Sequence, residues 1–133
     1  MTMTEFNLEI LTPIPPANKQ LRMHWAARAK IKKALAEEIR VGLAEAVNAG
    51  EIPQEAIGKK ERRTVYITMH LKRRYDKDNL HGMCKPLIDA MRHTGLIWND
   101  SEPWIDLHIN QYLAGKARPQ VGICVEFSKE EDE

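Results

Sequence analysis

Residues 62–72 read RRTVYITMHLK, in which Val65, Ile67, Met69 and Leu71 alternate with Tyr66, Thr68 and His70. A period of two belongs to a strand that shows one face to a core and the other to solvent. The run ends abruptly in Arg73-Arg74-Tyr75-Asp76-Lys77-Asp78-Asn79, so charged groups arrive together where the strand stops. Residues 5–11, 103–113 and 119–127 also read as strands, the last two joined by a turn at Ala114-Gly115-Lys116. Pro13, Pro15 and Pro16 forbid regular structure after the first strand. Leu35, Ile39, Leu43 and Val47 then recur every four residues and predict a helix from about Gln20 to Asn48, closed by Gly50 and followed by Pro53. A second helix is expected from Lys85 to His93, because Pro86 fits without penalty only in a first turn; Gly95 closes it. The order strand, helix, strand, helix, strand, strand predicts an α+β fold. It is a single compact domain over residues 1–133, with a mixed sheet of about four strands and two main helices.

With 133 residues, 43% of them hydrophobic, the chain can bury one core. No apolar run approaches the roughly 18 residues of a membrane span, and MTMTEFNLEI lacks the basic-then-apolar pattern of a secretory leader. Two cysteines, Cys84 and Cys124, are too few for a disulfide scaffold. A reduced, cytoplasmic protein without a membrane partner is expected. The net charge of +1 conceals an uneven distribution. Residues 126–133 hold five acids and one lysine, and the tail 129–133 is expected to be disordered. The remainder stands at +5, concentrated in two runs. One is Lys19, Arg22, Arg28, Lys30, Lys32 and Lys33; the other reaches from Lys59 to Arg74. Such runs are either solvated faces or a track for phosphates.

Residues 73–102 carry the chemistry. Asp76 and Asp78 stand two apart after a strand, and their mutual repulsion is relieved by a cation between them. Hard carboxylate oxygens suit Mg²⁺, with Mn²⁺ as a substitute. Asp100 follows the second helix in a loop expected to fold back toward that pair, with Lys85 between them in the chain. Together they would make a metal-dependent phosphodiesterase centre. Asp-x-Asp-Asn also serves as turn and cap chemistry, since Asp and Asn bond their own backbone. Asp89 reads as a surface or capping group. No phosphate-binding glycine loop, dinucleotide fingerprint or zinc spacing is present, so no organic cofactor is expected. Trp25, Trp98 and Trp104 are candidates for base stacking, although Trp98 reads better as a core or rim residue.

The ordered block Arg73-Arg74-x-Asp76-x-Asp78-Asn79-Leu80, Lys85-x-x-x-Asp89-Ala90, Gly95 and Asn99-Asp100 resembles the RusA family of Holliday-junction resolvases, found in bacteria and often in phages and prophages. The match spans about residues 62–112, and Pro15-Pro16-x-Asn18 resembles the same family's N-terminal pattern. The resemblance implies a homodimeric, Mg²⁺-dependent endonuclease that resolves four-way DNA junctions by paired nicks, in recombination and repair. It further implies that Asp76, Asp78 and Asp100 hold the metal and that Lys85 acts near the scissile phosphate. Arg73 and Arg74 would then face DNA, together with Asn18, Lys19, Arg22 and Arg28. Three positions depart from the family's usual pattern: Lys85 lies seven rather than four residues after Asp78, Asn99 replaces an acid, and Tyr75 stands where an arginine is common. Those departures motivate a second reading, a junction-binding protein with impaired turnover. A third is a phosphohydrolase acting on nucleotides.

Overall fold

In the computed structural model, which describes residues 2–115 and 120–129, the elements run β1 (Thr2–Ile10), α1 (Ala17–Arg22), α2 (Trp25–Asn48), β2 (Arg63–Leu71), α3 (Lys77–Thr94), β3 (Ile105–Leu113) and β4 (Gln120–Lys129). The fold is α+β. One four-stranded mixed sheet has the order β1-β4-β2-β3. β4 pairs antiparallel with both β1 and β2, whereas β2 and β3 are parallel, in register from Arg63↔Ile105 to Leu71↔Leu113. α3 makes the crossover between these two parallel strands, as a parallel pair requires.

The alternation of β2 is realised residue by residue: Val65, Ile67, Met69 and Leu71 are buried and Thr64, Tyr66, Thr68 and His70 are not. Their buried face meets Leu35, Ile39 and Leu43 of α2 and Leu87, Ile88 and Met91 of α3 in one core. The opposite face carries Glu5 and Glu9 of β1, Asp106 of β3 and Glu126 of β4. Aromatic pairs Tyr66–His108 and His70–Tyr112 stack across it, with ring centroids 5.0 and 5.4 Å apart. Four carboxylates and no lysine or arginine among its described residues make this face repellent to a polyanion.

Two helices differ from expectation. The first is broken: Met23 and His24 are both extended (ψ 145° and 143°), and His24 Nδ1 accepts the Ala26 N–H at 3.2 Å as the cap of α2. α1 therefore forms a separate short helix that starts at Ala17, directly after the prolines. The second helix begins at Lys77 instead of Lys85, so Pro86 lies well inside it. An internal proline costs about 3 kcal/mol. α3 also buries Leu80, Met83, Leu87, Ile88 and Met91, each contributing about 1.5–3 kcal/mol, so packing outweighs the lost backbone bond. At the acidic tail, Lys129 pairs with Thr2, so the last strand runs further than expected; the rest of the tail, residues 130–133, lies outside the described residues. Of the expected turn at Ala114-Gly115-Lys116, Gly115 has a left-handed backbone (φ 62°), and Lys116 lies outside the described residues.

Candidate nucleic-acid interface

The segment linking β2 to α3 is clasped from both sides. Gln111 of β3 accepts the Tyr75 N–H at 3.0 Å and donates to the Tyr75 carbonyl at 2.7 Å. The Arg73 guanidinium lies over the Tyr75 ring, 4.6 Å from its centroid. Tyr75 thus holds a neighbouring arginine by cation–π attraction. Neither role was legible in the sequence, since Gln111 is 36 residues away.

Asp76 is the N-cap of α3. Its carboxylate accepts the Asn79 backbone N–H at 2.8 Å and the Asn79 side-chain amide at 2.9 Å. Asp78 follows in the first turn, where a negative charge meets the positive end of the helix. Because α3 starts at Lys77, Asp78 and Lys85 lie seven residues apart on one helical face, about 10 Å along the axis.

α1 is latched onto the same stretch of α3. Gln20 donates to the carbonyls of Pro15 at 2.7 Å and Met83 at 3.3 Å. The helices approach so closely that a Cβ at Gly82 would stand 3.1 Å from the Ala17 Cβ. This docking brings Asn18, Lys19 and Arg22 beside α3, while Arg28 of α2 shares a cleft with Lys85. All of these residues are exposed, as are Arg73, Arg74, Asp76, Asp78 and Asp100. Asp89 is an ion-pair partner of Lys32 (3.4 Å) rather than a cap. Lys60 stands between Trp98 and Trp104, its amine 5.9 and 5.4 Å from their ring centroids.

Asp100 does not join Asp76 and Asp78. The pair sits beyond the carboxyl end of β2. Asp100 precedes the amino end of β3, where Arg63 N–H donates to the Trp104 carbonyl at 3.0 Å. The 18 residues of α3 separate those ends by about 27 Å. A parallel crossover puts its two loops at opposite ends of the sheet, so the expected fold-back does not occur. No group of three Asp, Glu, His or Cys side chains able to hold a metal occurs among the described residues.

The Asp100 end is built around Arg63, which is 1% exposed. Its guanidinium donates to the carbonyls of Leu96 (2.8 Å) and Ala56, pairs with Glu61 at 2.9 Å, and lies over the Phe127 ring. Burial lowers its pKa, and Glu61 opposes that shift. A residue placed in a basic run by the sequence is therefore a structural staple. No protein-family model matches the chain, and no curated protein matches it either.

Proposed function

We propose that the chain is a DNA-acting protein of RusA type, a Mg²⁺-dependent, structure-selective endodeoxyribonuclease that nicks four-way junctions as a homodimer in the cytoplasm. The observation that carries this reading is the arrangement around α3: Asp76 and Asp78 at its amino end, Lys85 on the same face, and the cations of α1, α2 and Arg73-Arg74 around them. The acidic open face of the sheet leaves the helical side as the one suited to phosphates.

Within one chain the three aspartates do not fit a shared cation. They meet only if the Asp100 end of one copy adjoins the Asp76 end of another, and a two-fold dimer would build two such sites at once. In that dimer Asp76, Asp78 and Asp100 would hold Mg²⁺ or Mn²⁺ as hard oxygen ligands. Such an ion, when bound, activates a water and polarises a phosphate. Lys85 would steady charge growing on the phosphate oxygens, and Arg73, Arg74, Lys19, Arg22 and Arg28 would hold the strand backbone.

The test is nicking of a synthetic four-way junction in Mg²⁺. Paired nicks by the wild-type protein, lost in Asp76→Asn, are expected; a wild type that cuts no better than this variant overturns the nuclease. A second reading, junction binding without turnover, is favoured by the Asn79 bonds that occupy both Asp76 oxygens. It predicts salt-dependent junction binding with no nick at any Mg²⁺ concentration.

A further inference from the structure

Between the first turns of α2 and the middle of α3 lies a cleft of about 310 Å³. Trp25, the first residue of α2, stands at its mouth with 69% of its surface exposed. Its indole covers no core. The His24 ring lies 5.5 Å from it at a 34° tilt and supports it from the capping position. The cleft holds three cations, Arg28, Lys32 and Lys85, and a single carboxylate, Asp89. Lys32 already pairs with that carboxylate at 3.4 Å, so Arg28 and Lys85 remain as its uncompensated charge. The amino end of the 24-residue α2 adds positive potential beside them.

An open aromatic face beside two positive side chains is complementary to a base with its phosphate. We infer that this cleft takes one unpaired nucleotide of a single-stranded DNA segment, the base stacked on Trp25 and the phosphate between Arg28 and Lys85. A paired base in a duplex is already stacked on both faces and offers only its edges, so the indole selects unpaired strands. A free mononucleotide would use the cleft alone, whereas a continuous backbone leaving it can also meet exposed cations of neighbouring elements, Arg22 of α1 and the Lys19 and Lys30 that line an adjoining pocket. The choice of DNA rests on the function proposed above. It gives that function a means of preferring branch points, where bases are free to leave the stack.

The experiment is a titration of the full chain with a short labelled oligothymidylate in EDTA, followed by tryptophan fluorescence and by anisotropy. Quenching on binding is expected, with affinity at least about tenfold weaker in Trp25→Ala and nearly retained in Trp25→Phe. Arg28→Gln should reduce the slope of log affinity against log salt by about 0.7. Trp25 is exposed, so thermal unfolding of Trp25→Ala should match the wild type and exclude misfolding as the cause. Undiminished binding by Trp25→Ala overturns the inference, as does thymidine monophosphate binding as tightly as the oligomer or duplex DNA competing equally. The nicking assay fails separately: an inactive protein with Trp25-dependent binding loses the nuclease reading alone, and a nicking protein indifferent to Trp25 loses this inference alone.

Discussion

Asn79 satisfies both oxygens of the Asp76 carboxylate, one through its backbone N–H at 2.8 Å and the other through its side-chain amide at 2.9 Å. The aspartate that would serve a metal is therefore also the residue that starts α3. Substitution separates the two roles. Asn is as good an N-cap as Asp, while Ala is poor. Asp76→Asn should leave stability within about 0.5 kcal/mol of wild type, and Asp76→Ala should cost about 1 kcal/mol, measured by urea unfolding. Both should abolish nicking. Activity surviving in Asp76→Asn would reduce this carboxylate to a cap.

The separation of Asp76 and Asp100 by the length of α3 yields a complementation test. Asp76→Asn and Asp100→Asn should each be inactive alone. Mixed and allowed to exchange subunits, they should regain nicking, because one site of each mixed dimer combines two intact ends. No regain, with subunit exchange confirmed by tagged copies, would rule out a site shared between copies.

Gly95 ends α3 with φ 84°, and a Cβ there would stand 2.8 Å from the Gly58 backbone nitrogen, which donates to the Gly95 carbonyl. Neither the left-handed conformation nor the contact has room for a methyl group. Gly95→Ala should destabilise by about 2 kcal/mol or more in chemical unfolding. A loss under about 0.5 kcal/mol would mean that this turn relaxes freely.

Burial pushes the Cys84 thiol up to about 12 from 9.0, and it packs 3.3 Å from the Met69 sulfur. A folded-state pKa above the unfolded one means that the unfolded chain loses its proton first as pH rises. The thiol's contribution is thus complete below about pH 9 and lost between about 9 and 12. Stability should fall across that window, and Cys84→Ala should fall less steeply. At pH 8 a thiol reagent should label partly buried Cys124 slowly, since burial and then Glu5 raise its pKa, and should reach Cys84 only on unfolding. Rapid labelling of Cys84 would contradict its burial.

Arg73→Ala with Arg74→Ala should weaken junction binding and reduce its salt slope by up to about 2, since two phosphate contacts are removed. Tyr75→Leu, which removes the ring beneath Arg73, should cost part of the same affinity without changing net charge. A salt slope untouched by the double change would move the DNA face elsewhere.

Local order along the chain was enough to specify the four strands, the α+β class and the exposed charges flanking Asp76, because a period of two and a run of like charge are properties of neighbours. The start of α3 is not local information: Pro86 disfavours a helix interior by itself, and only the burial of Leu80, Met83 and Leu87 in a shared core reverses that preference. The break at Met23-His24 depended on α1 docking against Gly82, and the burial of Arg63 on the carbonyls of Ala56 and of Leu96, the latter 33 residues away. Asp100 shows the limit most clearly. Closeness in a motif says nothing about which end of a sheet a residue reaches. That was decided by β2 and β3 being parallel, since a parallel crossover sends the chain across the whole sheet before its next loop.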